Sequence, residues 1–456
     1  MLGEKILKDI KKLYPLNRSL TGNGNRKTLK LLKKNISNLK ILEFKSGTKI
    51  FDWVIPPEWN VKNAWISYNN KKIIDFKKSN LHLVSYSAPI NKMVSFEELE
   101  NHLYYLKKNP NAIPYVTSYY KKRWGFCLKY NQFAKLGKKK KFHVYIDSNF
   151  NKKGSMSVGE VIIKGKINKE IILSTNICHP SMVSNELAAP VILSHLANYF
   201  KKNKPYYTLR ILFLPETIGC LTYLKYNLQN IKSKFRAGFH ISCIGDNGPF
   251  SMVQTKYKNS YSDKISKILL KEKKKFKIYD FKLCGSDERQ YNFPGIDLPV
   301  VTLTRSRFGT YKEYHTSMDN LKITNKKLLQ ESYDFLIKLV KKVNNDKDVK
   351  LQNVNKVIKN EKLIKDNKKK FNEDFKVYSL TKGEPFLSKR NLYRSLSNNT
   401  SLFDYPDEQF LMFNTLYYGD GLRISQIAKI ISRNPKKVLQ MAKVLFKNKL
   451  VRLSKN

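Results

Sequence analysis

No apolar run in this chain reaches the ~18 residues that cross a bilayer. The first ten residues, Met-Leu-Gly-Glu-Lys-Ile-Leu-Lys-Asp-Ile, carry charges where a signal peptide has its apolar centre. Neither a membrane span nor secretion is expected, and a cytoplasmic location is. Cysteine is sparse: there are 5 thiols, odd in number and widely spaced, with no C-x-x-C pair. That pattern excludes a disulfide scaffold and points to reduced core residues. Acidic residues are few, 36 against 87 lysines and arginines, for a net charge of +51. The lysines are spread through every segment, often beside asparagine, so the charge reads as solvated faces rather than a stripe built for nucleic acid. No internal repeat is present.

What remains is a globular profile, 41% hydrophobic and 12% aromatic over 456 residues, enough for two or three domains. Residues 1 to about 45 hold two helical patterns around Pro15-Leu-Asn-Arg-Ser-Leu-Thr-Gly22. From 49 to 136 the texture becomes β-rich, with strands expected near Lys72-Lys-Ile-Ile-Asp-Phe and His82-Leu-Val-Ser-Tyr, and all four tryptophans fall here. From 137 to 345, apolar strands (171–176, 208–214, 237–243, 298–304) alternate with amphipathic helices (186–201, 218–230, 262–274, 325–344). This alternation predicts an α/β fold with a mostly parallel sheet and helices on both faces. A charged stretch, 346–370, reads as a linker. In 371–456, Ser425-Gln-Ile-Ala-Lys-Ile-Ile-Ser and Val438-Leu-Gln-Met-Ala-Lys-Val-Leu form two helices around a tight turn, followed by a Leu450-Val-Arg-Leu strand. That is a winged type of helix-turn-helix.

Polar residues gather where the strands should end, which is where open α/β sheets place their sites. His179 closes the first strand and Glu186 opens the following helix; Glu216, Asp246, Asp287 and His315 follow later strands. Zinc takes imidazole nitrogen and carboxylate oxygen, and a carboxylate emerging from a buried strand suits a general base. Each residue alone has a blander reading: a core histidine, a carboxylate complementing a helix dipole, an Asp-Asn-Gly turn. Together they predict a metal site assembled from strand ends. His82, His102, His143, His195 and His240 lack acidic company of this kind and read as structural.

Cys178-His-Pro-Ser, Asn185-Glu-Leu, Pro215-Glu-Thr-Ile-Gly, Gly285-Ser-Asp-Glu-Arg-Gln and Tyr314-His-Thr-Ser-Met-Asp-Asn resemble a bacterial aminopeptidase-like family of zinc peptidases. Trp53-Val-Ile-Pro-Pro-Glu-Trp-Asn and Ile113-Pro-Tyr-Val-Thr-Ser-Tyr-Tyr fit its inserted region. The family is distantly similar to leucyl aminopeptidases and glutaminyl cyclases. The resemblance implies a zinc-exopeptidase domain (1–48 and 137–345), an inserted small domain (49–136) and a C-terminal winged helix (371–456). It implies His179, Glu186, Asp246 and His315 as metal ligands and Glu216 as general base. Asp287, Arg289 and Tyr314 are candidates for substrate or oxyanion contacts. Two departures bear on the metal count: Thr217 stands where the dinuclear enzymes have a second glutamate, and Ser181 where they have an aspartate that orients the first histidine. One or two zinc ions are therefore expected.

The function expected is zinc-dependent hydrolysis of a small peptide or N-acylated small molecule. The alternative is a metal-poor ligand-binding or DNA-binding regulator using the winged helix, whose second helix offers Arg433, Lys436, Lys437 and Gln440. That unit could equally serve protein contacts or a homo-oligomer.

Overall fold

The computed structural model describes residues 2–137, 140–347, 373–392 and 407–455. Most of the expected 346–370 linker lies outside them.

An eight-stranded sheet runs in the order Lys40–Lys45, Ser155–Ile163, Tyr207–Leu214, Ile167–Asn176, Phe235–Ile241, Val300–Thr304, Phe250–Val253, Phe276–Tyr279. The four central strands, Tyr207–Leu214 to Val300–Thr304, are mutually parallel. The sheet as a whole is mixed, not mostly parallel, because three pairings are antiparallel. Residues 164–166 are too few for a crossover helix, so the chain reverses after Ser155–Ile163 and that strand meets Tyr207–Leu214 antiparallel. Four strands of this sheet escaped periodicity: Lys40–Lys45 and Ser155–Ile163 at one edge, and Phe250–Val253 and Phe276–Tyr279, four residues each, at the other.

Helices Leu2–Leu13, Asn23–Asn35, Ala188–Lys202, Tyr261–Lys271 and Lys326–Asn345 cover one face of the sheet. Leu2–Leu13 shows why: Ile6, Ile10 and Leu13 recur at helical spacing and are buried while its lysines face out. The other face packs on helix Ile218–Lys234 and on a second, antiparallel sheet ordered Lys71–Asp75, Glu58–Tyr68, Lys141–Asn151, Ile90–Ser95. The expected strand at His82–Tyr86 is instead a short 3-10 turn, Asn80–His82, and an irregular segment whose backbone bonds reach 116 and 125. Among the described residues no helix is long and apolar enough to cross a membrane.

Under the sheet, Arg210 is a buried cation shared by two strands and a helix. Its Nε and Nη2 donate to Glu170 at 2.7 and 2.9 Å, and its Nη1 to Glu160 at 2.7 Å and the Tyr223 hydroxyl at 2.6 Å. A second clamp joins helix Asn23–Asn35 to both sheets: Arg26 donates to both Glu58 oxygens at 2.7 and 2.6 Å. That pairing holds the Glu58 carboxyl down at about 2. A depressed carboxyl stabilises the fold above its ordinary value of 4.5 and loses that contribution as pH falls towards 2. Glu58→Gln should therefore cost about 1–3 kcal/mol at pH 7, and its urea midpoint should converge on that of the parent only as pH falls from 4.5 towards 2.

The C-terminal unit has helices Asp407–Tyr417, Ile424–Ile431 and Pro435–Lys447 and a sheet ordered Asp420–Arg423, Lys376–Ser379, Val451–Ser454. Pro435 opens the last helix, where its missing N–H is no loss, and Asn434 caps it by accepting from Lys436 N. Its core is continuous with Phe281, Phe293 and Phe308 of the central region, so the unit packs against strand ends and connecting segments of that region rather than standing apart.

Candidate metal centre and its cavity

Strand Ile167–Asn176 delivers Cys178 and His179 to the sheet's C-terminal edge. Glu186, expected to open a helix, lies in a single π turn, Val183–Leu187, ahead of helix Ala188–Lys202. π turns are rare and tend to sit at functional sites. This one turns the Glu186 carboxylate back onto His179, where Oε2 accepts from His179 N at 2.6 Å and Oε1 contacts Nδ1. Burial disfavours charge on His179, but Glu186 outweighs it and raises the ring above its ordinary value. The donor atoms of Cys178, His179 and Glu186 lie within 4.8 Å of one another, and all three residues are buried. Ser181 does not orient His179; its hydroxyl donates to Tyr14 O. Glu186 holds Nδ1 instead, leaving Nε2 facing Glu216 Oε2 at 3.9 Å.

Glu216 leaves strand Tyr207–Leu214 through a strained bend. Thr217 has φ 61 and ψ −72, and Ile218 N donates to Glu216 O at 2.7 Å. This is the rare positive-φ γ-turn, unusual for a β-branched residue and of order 1–3 kcal/mol unfavourable. It is fastened by Asp287, whose Oδ1 accepts from Thr217 N at 2.8 Å, and by Cys178, whose sulfur accepts from Glu216 N at 3.2 Å. Ser286 Oγ donates to Glu216 Oε1 at 3.1 Å. Behind it, His240 Nε2 is 3.0 Å from Ser286 Oγ, with its ring pushed down to about 4 by burial. Burial also pushes the Glu216 carboxyl above the ordinary carboxylate range, against the pull of His179 and Arg289. Asp287, buried and then repelled by Glu216, is pushed up to about 8.

His315 comes from a loop that the inserted region pins: Tyr115 N donates to His315 O at 2.9 Å, and Ser317 N to Ile113 O at 2.9 Å. Its ring lies 4.9 Å from that of His179, stacked on Tyr314 at 3.9 Å and edge-on to Tyr115 at 5.5 Å. Burial, then the neighbouring His179, push it well below its ordinary value, so it is neutral. Its Nε2 is buried with no hydrogen-bond partner among the described residues. An unpaired buried polar atom is costly, and a cation bound there would satisfy it.

The structure thus brings His179, Glu186, Glu216 and His315 together. Asp246 is not in that group. Its oxygens accept from Ser184 Oγ at 2.6 Å, Gly248 N at 2.6 Å and Ser306 Oγ at 2.8 Å, so it braces the π turn. Asp287 lies beneath the Glu216 bend and Tyr314 beneath His315, whereas Arg289 faces a cavity of about 280 Å³ above them. Several participants escaped sequence reading. Arg18, buried, donates to the carbonyls of His179 and Glu186. Asp319 accepts from Ser184 N and Asn185 N at 2.7 and 3.0 Å and is pushed up to about 7 by burial. Asp319 was visible inside Tyr314-His-Thr-Ser-Met-Asp-Asn, but nothing linear tied Arg18 to a segment some 160 residues away.

A family model described as a domain of unknown function, DUF4910, matches residues 7–346, and one described as a winged helix-turn-helix matches 376–453. A Clostridium acetobutylicum protein is 37% identical over 454 residues, 99% of this chain and 96% of its own length. Its name assigns it provisionally to polysaccharide biosynthesis and gives it an aminopeptidase-like domain. The chain belongs to this aminopeptidase-like family. A crystal structure of a provisionally named peptidase from Clostridium acetobutylicum superposes with a TM-score of 0.72 at 35% identity, covering 99% of this chain and 97% of the other. A zinc aminopeptidase from Bacillus subtilis shares the fold at a TM-score of 0.57 and 12% identity, covering 77% of this chain and 98% of its own.

Proposed function

We propose that this member of the aminopeptidase-like family is a zinc-dependent amide hydrolase. The supporting observation is the trio of His179, His315 and Glu216 at the cavity floor, with the buried Nε2 of His315 unpaired among the described residues. His179, through Nε2, and His315 would hold the ion, with Glu186 fixing His179 from the Nδ1 side. Imidazole nitrogens backed by a carboxylate are a donor set that zinc accepts. Asp246 has a supporting part, holding through Ser184 the turn that carries Glu186. Bound zinc supplies Lewis acidity, polarising a carbonyl and easing loss of a proton from water.

Glu216 takes that proton on its carboxylate, which the raised pKa makes a stronger base than a solvated one, and returns it to the departing amine. Ser286 and the Thr217 bend hold the carboxylate towards His179 while it does so. Tyr115, buried against the rings of His179 and His315, keeps bulk water off that side of them.

The regulator reading gains little. Arg433 and Lys437 of the winged helix both pair with Asp407, at 2.7 and 3.0 Å, and Lys443 with Glu373 at 2.9 Å. Cations already paired have less to offer a phosphate backbone.

Plasma mass spectrometry of protein purified without a metal-affinity tag tests the reading. About one zinc per chain is expected in the parent, falling at least tenfold in His179→Ala and His315→Ala. Parent protein that stays metal-free after zinc addition and dialysis would sink the proposal.

A further inference from the structure

Three of the four central strands carry a polar residue at the same level of the sheet. Ser174, His240 and Thr302 are direct neighbours across strands Ile167–Asn176, Phe235–Ile241 and Val300–Thr304, and all three are fully buried. A polar row inside a sheet is costly unless its members are bonded. Here the bonds lead to the turn that serves the general base. Thr302 Oγ1 donates to Glu288 Oε2 at 2.7 Å, and Glu288 Oε1 accepts from Gly285 N at 2.8 Å. That pair fixes the backbone of the Gly285-Ser-Asp-Glu turn. His240 reaches a side chain of the same turn: its Nε2 is 3.0 Å from Ser286 Oγ, while its Nδ1 is 3.1 Å from Ser174 Oγ.

The surroundings of Ser286 set the direction of these bonds. Its Oγ has three neighbours. The Glu216 carboxylate, through Oε1 at 3.1 Å, and Asn176 Oδ1, at 3.2 Å, can only accept. Asn176 is turned that way because its Nδ2 donates to Asp287 Oδ2 at 2.7 Å. The third neighbour, His240, is the one group that can donate to Ser286. Were its Nε2 bare, three acceptors would crowd a single hydroxyl proton, and His240 would draw that proton off Glu216. Burial pushes the His240 ring down to about 4, so it is neutral and carries one N–H. That N–H can lie on Nε2 because Nδ1 is met by the Ser174 hydroxyl, itself able to donate.

We propose that His240 is a positioning residue for the general base: its Nε2–H donates to Ser286 and so turns the Ser286 proton towards Glu216. This rests on the hydrolase reading. His240 touches no substrate and acts only through Ser286. The consequence is a division of labour within the Glu216 carboxylate. Oε1 is held by Ser286, and Oε2, 3.9 Å from His179 Nε2, is left to take the proton from water.

The test has two arms. In the first, kcat and KM for leucinamide and N-acetyl-leucinamide are measured on zinc-loaded parent, His240→Leu, His240→Gln, Ser286→Ala and the His240→Leu/Ser286→Ala double variant. Melting curves and zinc content confirm folding and loading. His240→Leu and Ser286→Ala should each lower kcat about tenfold, with KM changed by less than about twofold. Because both act through one hydrogen bond, the double variant should also lose about tenfold rather than about a hundredfold. His240→Gln, whose amide nitrogen can stand in for Nε2, should recover most of the loss. Additive losses, an unchanged kcat in Ser286→Ala, or a His240→Gln variant no better than His240→Leu would overturn the assignment.

The second arm needs no substrate and stands even if His240→Leu does not fold. Heteronuclear NMR of the histidine rings reads the tautomer in the parent, His240 being the ring whose signals shift in Ser286→Ala and vanish in His240→Gln. A proton on Nε2 supports the proposal, and a proton on Nδ1 overturns it. If zinc-loaded parent cleaves neither amide, the hydrolase reading falls, while the tautomer still decides which way the His240–Ser286 bond runs.

Discussion

Glu216→Gln is expected to lower kcat for a cleaved amide by about 10²–10⁴-fold while leaving zinc content and melting temperature close to those of the parent. The amide keeps the shape of the side chain and the hydrogen bond from Ser286, but removes the site that accepts a proton. Its fold cost is small because the Thr217 bend is held through main-chain atoms, by Asp287 and by Cys178. Zinc should survive because His179, Glu186 and His315 are untouched. Loss of both turnover and zinc would make Glu216 a ligand; retained turnover would remove it from the chemistry. The pH profile gives a second reading. With the Glu216 carboxyl raised by burial, the acid limb of kcat/KM should lie above the ordinary carboxylate range.

Arg210→Met should have the largest effect on stability, about 3–5 kcal/mol, because it strands Glu170 and Glu160 in the sheet without their cation. Arg210 donates to three partners, and the Glu170 and Glu160 side chains are only 3% and 11% exposed, so the carboxylates have little water to turn to. A fall in melting temperature of about 3–5 °C is expected. Replacing Arg210, Glu170 and Glu160 together by apolar residues of similar size should recover much of that loss, since the cost lies in the unpaired charges. A triple variant no better than Arg210→Met would show that the ion cluster itself, not its imbalance, stabilises this edge of the sheet.

The parts of the fold that could be read from sequence were those whose pattern is local. The four central strands are buried and largely apolar, and helices such as Leu2–Leu13 and Lys326–Asn345 repeat apolar residues every three or four positions. Strand Glu58–Tyr68 was hidden because it mixes Trp, Asn and Lys on a surface only half buried. His82-Leu-Val-Ser-Tyr looked like a strand because its residues are buried, but they are buried in a loop whose polar groups are met by Gly125 and Val116. At the site, strand-end position pointed to His179 and Glu216, and the structure brings both to the cavity. Position could not reveal that Glu186 sits in a π turn, since that depends on Asp319 catching two amides from across the molecule. Glu384, a further residue of the cavity lining, was invisible for a related reason: its partners Arg289 and Trp53 are far away along the chain.

The shared core between the winged helix and the sheet has a consequence for synthesis. His179, Glu216, Arg289 and His315 all leave the ribosome before residue 384, the first on the cavity lining from the C-terminal unit, so the cavity floor can assemble while the mouth above it is still open. Until helices Asp407–Tyr417 and Ile424–Ile431 arrive, the apolar surface around Phe281, Phe293 and Phe308 has nothing to bury it. The nascent protein therefore passes through a stage in which it is sticky and its cavity open, and a premature stop codon in the last quarter of the message would leave it there.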